Sequence, residues 1–353
     1  MSFGLYDADK VVDKLSQAAI PKTCASPGKL FFGGFAAGAY IALGFLFAIM
    51  SSGSFYPFPQ DVAKALNLTY PYRIPNASVF KILLGATFPV GLIAVLIGGA
   101  DLRTGNVQVP FYAKMTGKAD VKKVIYNRVT SYGGNFFGGF FVAYLAVAAA
   151  LITTGNVFGS VVLDVAYKKA HLSAREAFRR GVGCNRLVNV AVRLYARSSD
   201  YAGKRLGIRF PIFAFVTIGF EHSIANMRIF SAAVMLSAHE GALHTITRTD
   251  AFHNLIPVTL GNAVGGFLFV AFYYRYVGNK DVGPKDALYV IRDFIIATAA
   301  LMIIDVLPMA AITIALSKVL SGMYAATIPA IVTIIYLAIV SYVARRVLVK
   351  PYQ

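Results

Sequence analysis

The chain has 353 residues, 57% of them hydrophobic and 14% charged, with a mean hydropathy of +0.63. A soluble domain carries about 25% charged residues, so this composition points away from an ordinary soluble enzyme or binding module. The net charge of +18 suggests nucleic acid at first sight, while two cysteines, Cys24 and Cys184, give neither a disulfide framework nor a metal-ligand spacing.

Residues 7–20 set Val11, Val12, Leu15, Ala18 and Ala19 on one side of Lys10, Asp13 and Lys14, which reads as an amphipathic helix lying on the cytoplasmic face of a membrane. Residues 1–29 are polar and show no resemblance to a cleavable signal. A hydrocarbon core about 30 Å thick needs about 20 apolar residues per helix. Runs that meet this test lie at about 30–51, 80–99, 131–153, 209–236, 254–274, 290–316 and 324–344. An eighth, 174–195, is interrupted by Arg186 and Arg193 but is mostly apolar from Val182 to Leu194.

Two of these runs are broken in the same way. Gly99-Ala100-Asp101 is followed by Thr104 and Asn106, and Gly219-Phe220-Glu221-His222 by Ser223 and Asn226. Glycines and short polar side chains favour an irregular loop over a continuing helix. Such backbone survives at membrane depth only where protein buries it or water lines it. The second break leaves one half-helix from Ile212 to Ile218 and another from Ser223 to Leu236, with Glu221 at the positive end of the latter. His222 is the titrating group nearest the middle of the predicted pore. A lone buried histidine is usually a satisfied core residue. This one adjoins a helix break, in the position read as symmetric to Thr104, which favours a pore role.

A further repeat marks the two halves: Gly134-Asn135-Phe136-Phe137-Gly138-Gly139 recurs 127 residues later as Gly261-Asn262-Ala263-Val264-Gly265-Gly266. Three spans per unit is an odd number, so the two units enter the membrane in opposite orientations. The expected fold is an all-α polytopic membrane protein. A cytoplasmic segment, 1–29, precedes an inverted repeat of three-span units, 30–153 and 154–278, with helices 2 and 5 broken. Residues 279–353 add two C-terminal spans, the first interrupted by Asp305 and Pro308. That carboxylate is either a functional intramembrane group or the cap of a kinked half-helix.

Charge distribution answers the nucleic-acid question. With a cytoplasmic N-terminus, twenty of the 34 Lys and Arg fall on inside segments, ten on outside segments and four (Arg103, Arg186, Arg193, Arg228) within spans. This bias follows the positive-inside rule and puts both termini in the cytoplasm, with the basic loops facing anionic lipid. The expected surroundings are the lipid bilayer of the cell (inner) membrane; nucleic acid is not an expected partner.

The segments Phe220-Glu221-His222-Ser223-Ile224-Ala225-Asn226-Met227, Asn254-Leu255-Ile256-Pro257-Val258-Thr259-Leu260-Gly261-Asn262 and Gly99-Ala100-Asp101-Leu102 resemble signature segments of the formate/nitrite transporter family. Arg180 to Asn185, through Val188, is similar to its fourth-helix motif, and the resemblance covers roughly residues 7–278. It implies an aquaporin-like six-helix protomer in a homopentamer, each protomer with its own pore for a small weak-acid anion. The family's central histidine matches His222 and its loop threonine matches Thr104. The lysine of its outer vestibule matches Lys169, and its pore asparagines match Asn185 and Asn262. Its constrictions carry over to Phe88 and Phe215 on one side and to Leu92 on the other, with Leu102 and Arg103 at the inner gate. The chain departs from the family where Arg103 replaces an aromatic residue, at Arg186 and Arg193, in having no Trp, and in the spans after residue 281. Arg103 either binds an anion or snorkels to the cytoplasmic face.

The expected function is transport of a small monovalent weak-acid anion, formate ahead of nitrite, hydrosulfide or lactate, without cofactor or metal. A dry aromatic ring strips hydration from an anion. Lys169 and the +18 field concentrate anions at the mouth, and protonation near His222, whose ordinary pKa is about 6.5, removes the remaining penalty. The alternative is an aquaporin-like channel for a neutral solute. A membrane enzyme is not expected, because no nucleophile–base pair, metal spacing or phosphate loop is present. His171, His239, His244 and His253 read as solvated residues of outer loops.

Overall fold

The computed structural model of the protein describes residues 4–58, 75–239, 241–278, 283–320 and 322–349. The first helix, α1 (Ala8–Cys24), does bury Val11, Val12, Leu15 and Ala19. It buries them against α5 (Val109–Met115) rather than lipid, and Ser16 and Thr116 share a hydrogen bond of 2.5 Å there. The helix is therefore packed on the protein itself.

The first unit comprises α2 (Pro27–Ser52), the span of α3 (Ala77–Thr87) and α4 (Pro89–Gly98), the short α5, and α6 (Val121–Ala148). A short helix, α7 (Val157–Ala170), leads to the second unit. That unit has α8 (Ala174–Arg197), α9 (Tyr201–Ile218) bent by 52° into α10 (Ser223–Leu236), and α11 (Arg248–Gly266), which continues through a π-wound stretch, Phe267–Phe272, to Gly278. Start signals agree with local chemistry. Asn76 accepts the Ser78 and Val79 amides at 3.1 and 3.0 Å, and Ser173 and Glu176 form a reciprocal cap on α8.

Among the described residues, five helical stretches are long and apolar enough to cross a membrane, and the bent α9–α10 pair makes a sixth. Two of the eight expected spans, α6 and α8, are not among them. They carry Asn127, Arg128, Thr130, Ser131 and Asn135, and Asn185, Asn189 and Arg193, all turned into the protein and buried. Arg128, expected in a cytoplasmic segment, is thus interior. Lys280 and Lys350, also counted as cytoplasmic, lie outside the described residues.

The repeated glycine motif is a packing device. In each unit the first and third long helices touch along their backbones, α2 on α6 and α8 on α11. A Cβ on Gly138 would stand 2.0 Å from the Phe35 carbonyl oxygen, and one on Gly265 2.2 Å from that of Val182. No side chain fits there. We predict that Gly138→Leu or Gly265→Leu costs about 3 kcal/mol or more, the upper end for overpacking, because backbone rather than a flexible side chain must yield. A thermal melt of detergent-solubilised protein checks this, and an unchanged midpoint contradicts it.

The C-terminal hairpin comprises α12 (Pro284–Leu301), a π-wound turn Met302–Val306, α13 (Leu307–Ser317) and α14 (Gly322–Leu348). It packs on the back of α6, where Leu337 lies over Gly133. Asp305 sits inside the π turn, fully buried, and makes no capping hydrogen bond. The capping role is therefore not the one it has.

Candidate functional site

Both broken helices end on a left-handed glycine, Gly99 at φ 75° and Gly219 at φ 91°, a conformation that only glycine adopts freely. Each loop that follows is held by an asparagine of the motif. Asn135 donates to the carbonyls of Gly34 (2.8 Å) and Asp101 (3.0 Å) and accepts the Arg103 amide (2.8 Å). Asn262 donates to the carbonyls of Gly181 and Glu221 and accepts the Ser223 amide, all at 2.9 Å. The same three bonds recur in both units, so both loops are suspended by the same chemistry.

This correspondence aligns Asp101 with Glu221 and therefore Leu102, not Thr104, with His222. The expected symmetric relation is corrected accordingly. Thr104 nevertheless meets the imidazole, with Oγ1 3.0 Å from Nε2. Nδ1 accepts the Ala225 amide at 3.1 Å and so caps α10. An acceptor at Nδ1 puts the proton of a neutral ring on Nε2, which then donates to Thr104. One residue from each unit thus closes the centre.

On the side of α7 a cavity of about 320 Å³ reaches His222. Its floor is aromatic: Phe88 meets Phe215 edge-on with centroids 5.8 Å apart, and Phe215 stacks on His222 at 6.0 Å. Its wall holds Lys169, whose Nζ pairs with Glu221 at 2.8 Å. The other Glu221 oxygen accepts from Asn226 at 2.6 Å, while Asn254 donates to the Lys169 carbonyl at 2.9 Å. Pairing reduces the attraction Lys169 alone would exert. Lys81, Lys168 and Arg180 also line the cavity, so its basic residues still outnumber its lining carboxylate.

The opposite side repeats this arrangement with Asp101 and Asn106 of the first break and with Lys22 and Asn127, which the sequence reading did not select. Lys22 lies 3.6 Å from Asp101, Asp101 takes a hydrogen bond from Asn106, and Asn127 donates to the Lys22 carbonyl at 3.3 Å. Asp101, Asn106 and Asn127 precede Glu221, Asn226 and Asn254 at the fixed intervals of the repeat, a signal that was available. Lys22 has no such signal, since it stands in α1, remote from the motif.

The remaining expected residues divide. Phe88, Leu92, Phe215 and Leu102 are buried at 3%, 2%, 3% and 3% exposure, and of the four Phe88 and Phe215 line the cavity. Asn185 and Asn262 do not line the outer cavity. Their amides are engaged with backbone, Asn185 donating to the carbonyls of Thr104 (3.2 Å) and Asn262 (2.5 Å), so they act as scaffold for the loops. Arg103 does not snorkel: its guanidinium is fully buried, 5.6 Å from the Tyr132 ring centre. Arg186 and Arg193 lie over the rings of Phe269 and Tyr274 at 5.5 and 3.8 Å.

His244 is not a solvated loop residue. Its Nε2 lies 3.1 Å from Asp164, which also pairs with Lys168 at 2.7 Å and accepts from Tyr56. Burial alone would raise the Asp164 carboxyl, but hydrogen bonds from Lys168, Tyr56 and His244 outweigh it and hold the group below its usual range. A carboxyl lowered in this way stabilises the fold above its unfolded value and loses that contribution as pH falls through the folded one. Melting temperature measured across acid pH should therefore fall less steeply in Asp164→Asn than in the parent. Superimposable profiles contradict this.

The model of the family described as "Formate/nitrite transporter" matches residues 9–276. A probable formate transporter of Methanothermobacter thermautotrophicus is 41% identical over 275 residues, covering 74% of this chain and 92% of that protein. A formate channel of Bacillus thuringiensis is 34% identical, covering 76% and 94%. Among solved structures, a channel of the same family superposes with a TM-score of 0.60 at 26% identity, covering 76% and 98%. A pentameric formate channel with formate bound superposes at 0.59 and 27% identity, covering 71% and 97%. These matches are to channels and transporters, not enzymes, and the family model ends before the C-terminal hairpin begins. This chain belongs to the formate/nitrite transporter family.

Proposed function

We propose that this protein conducts formate and similar small weak-acid anions across the cell (inner) membrane, with both termini cytoplasmic, as a homopentamer with a pore in each protomer. The observation that carries this reading is the central contact of His222 with Thr104, beneath a basic cavity and beside the Phe88–Phe215 pair. Formate in the names of the relatives, and a pentamer in that of one structural neighbour, support the substrate and the assembly.

An anion entering the cavity is drawn by its excess of basic side chains and then meets apolar surface, where a bare charge is costly. Nε2–H offers it a hydrogen bond once Thr104 gives way. Delivering a proton takes one step more. A neutral imidazole must first take a proton at Nδ1 from hydronium in the water that fills the cavity, breaking its bond to the Ala225 amide, and the bound anion supplies the counter-charge. The imidazolium then passes one proton to the anion, leaving neutral acid and neutral ring, and the neutral acid crosses the apolar passage.

The alternative, a channel for neutral solutes, needs no basic cavity. Flux in proteoliposomes separates the two. Lys81→Met with Arg180→Met is expected to lower formate flux about tenfold through the lost field, with osmotic swelling in glycerol unchanged. Equal loss of both would favour the neutral-solute reading.

A further inference from the structure

A second cavity, of about 490 Å³, opens at the seam between the C-terminal hairpin and the rest of the protein. Lys114 of α5, Arg275 and Tyr276 at the end of α11, and Asp286, Tyr289 and Arg292 of α12 line it. It shares no lining residue with the cavity that reaches His222. One wall comes from α12, which begins beyond the matched family region, so that region alone does not build it. The charges here are held in place. Asp293, 2% exposed, pairs with Lys114 at 3.0 Å and with Arg292 at 2.9 Å and fixes both cations at the cavity wall. Asp286 accepts the Gly283 amide at 3.2 Å, as a cap on its own helix. Arg275 differs: its Nε is buried and has no hydrogen-bond partner among the described residues. A buried donor left unpaired is costly, and an anion in the cavity would satisfy it. Three cations against two carboxylates leave the cluster one positive charge.

We propose that this cavity binds a phosphate ester, with an anionic lipid headgroup as the source its surroundings favour. A guanidinium fork matches phosphate oxygens, and a phosphodiester carries one negative charge, the complement of the cluster. Leu288, Tyr289 and Ile295 are exposed along the same helix, so an apolar flank adjoins the basic pocket. Such a pairing holds a headgroup and its acyl chains together. On the topology proposed above, this end of the molecule faces the cytoplasmic leaflet, where anionic lipid is abundant. An occupant would bridge α5, α11 and α12 and so tie the hairpin to the transport unit.

Binding is read without transport, so failure of the transport reading leaves the test intact. Full-length protein in detergent is titrated with dioleoylphosphatidylglycerol, and bound lipid is counted by native mass spectrometry. Dioleoylphosphatidylcholine, whose ammonium group the same cations repel, is the control and should bind more weakly. Arg275→Met is expected to weaken phosphatidylglycerol binding about tenfold, the scale of one lost charge-assisted hydrogen bond. Should that variant fail to fold, Arg275→Gln carries the same comparison. Arg346→Met removes an equal charge from an exposed site on α14 outside the cavity and should bind as the parent. Excess glycerol 3-phosphate separates the sources: lipid that stays bound supports a headgroup site, and lipid that is displaced supports a site for soluble esters. Equal binding of both lipids by the parent, unchanged binding in the folded Arg275 variants, or an equal loss in Arg346→Met would overturn the proposal.

Discussion

His222→Phe is expected to flatten the pH profile of formate uptake and to cut uptake on the acid side by about 10²-fold, the lower bound for loss of a positioned proton donor. The sign follows from the linkage. Uptake as neutral acid consumes one external proton per anion, so parent flux rises as external pH falls. Phenylalanine keeps a ring against Phe215 but offers neither a proton nor a bond to Thr104. The lost hydrogen bonds, to Thr104 and from Ala225, are worth about 1 kcal/mol each, so the variant should still fold and assemble. A folded variant that transports with unchanged pH dependence contradicts the role assigned to His222.

Asn262→Ala should have the largest structural effect of any single polar substitution at the centre. It leaves the carbonyls of Gly181 and Glu221 and the amide of Ser223 without their partner, all at full burial around the second break. Three buried groups at about 1–3 kcal/mol each give a cost of about 3 kcal/mol or more, a large fraction of ordinary stability. Asn135→Ala removes the equivalent bonds from the first break and should match it. Melting midpoint and elution of solubilised protein on size exclusion read both variants. If either behaves as the parent, the loops are not suspended as described.

Much of this was legible in the residues because the repeat is exact in function. Gly-Asn-x-x-Gly-Gly appears twice since each unit needs glycine where helices touch and asparagine where a loop hangs. Gly99 and Gly219 announced their breaks for the same reason: φ is positive there. His222 and Thr104 were legible as site residues, but their symmetry was not. The bonds from Asn135 and Asn262 pair Leu102, rather than Thr104, with His222, in step with the 120-residue interval from Asp101 to Glu221. Lys22 stayed hidden because its partner Asp101 is far along the chain and nothing local marks it. What covers α1 was not legible because an apolar stripe does not say whether lipid or protein lies over it; Thr116, just past the end of α5, supplies that information only in three dimensions.

The most direct measurement is proton movement during formate uptake into proteoliposomes that contain a pH dye, with membrane potential clamped and protein-free vesicles as background. Interior acidification at one proton per formate is expected, and its loss in His222→Phe. Formate entering the parent vesicles at full rate without that acidification would contradict it.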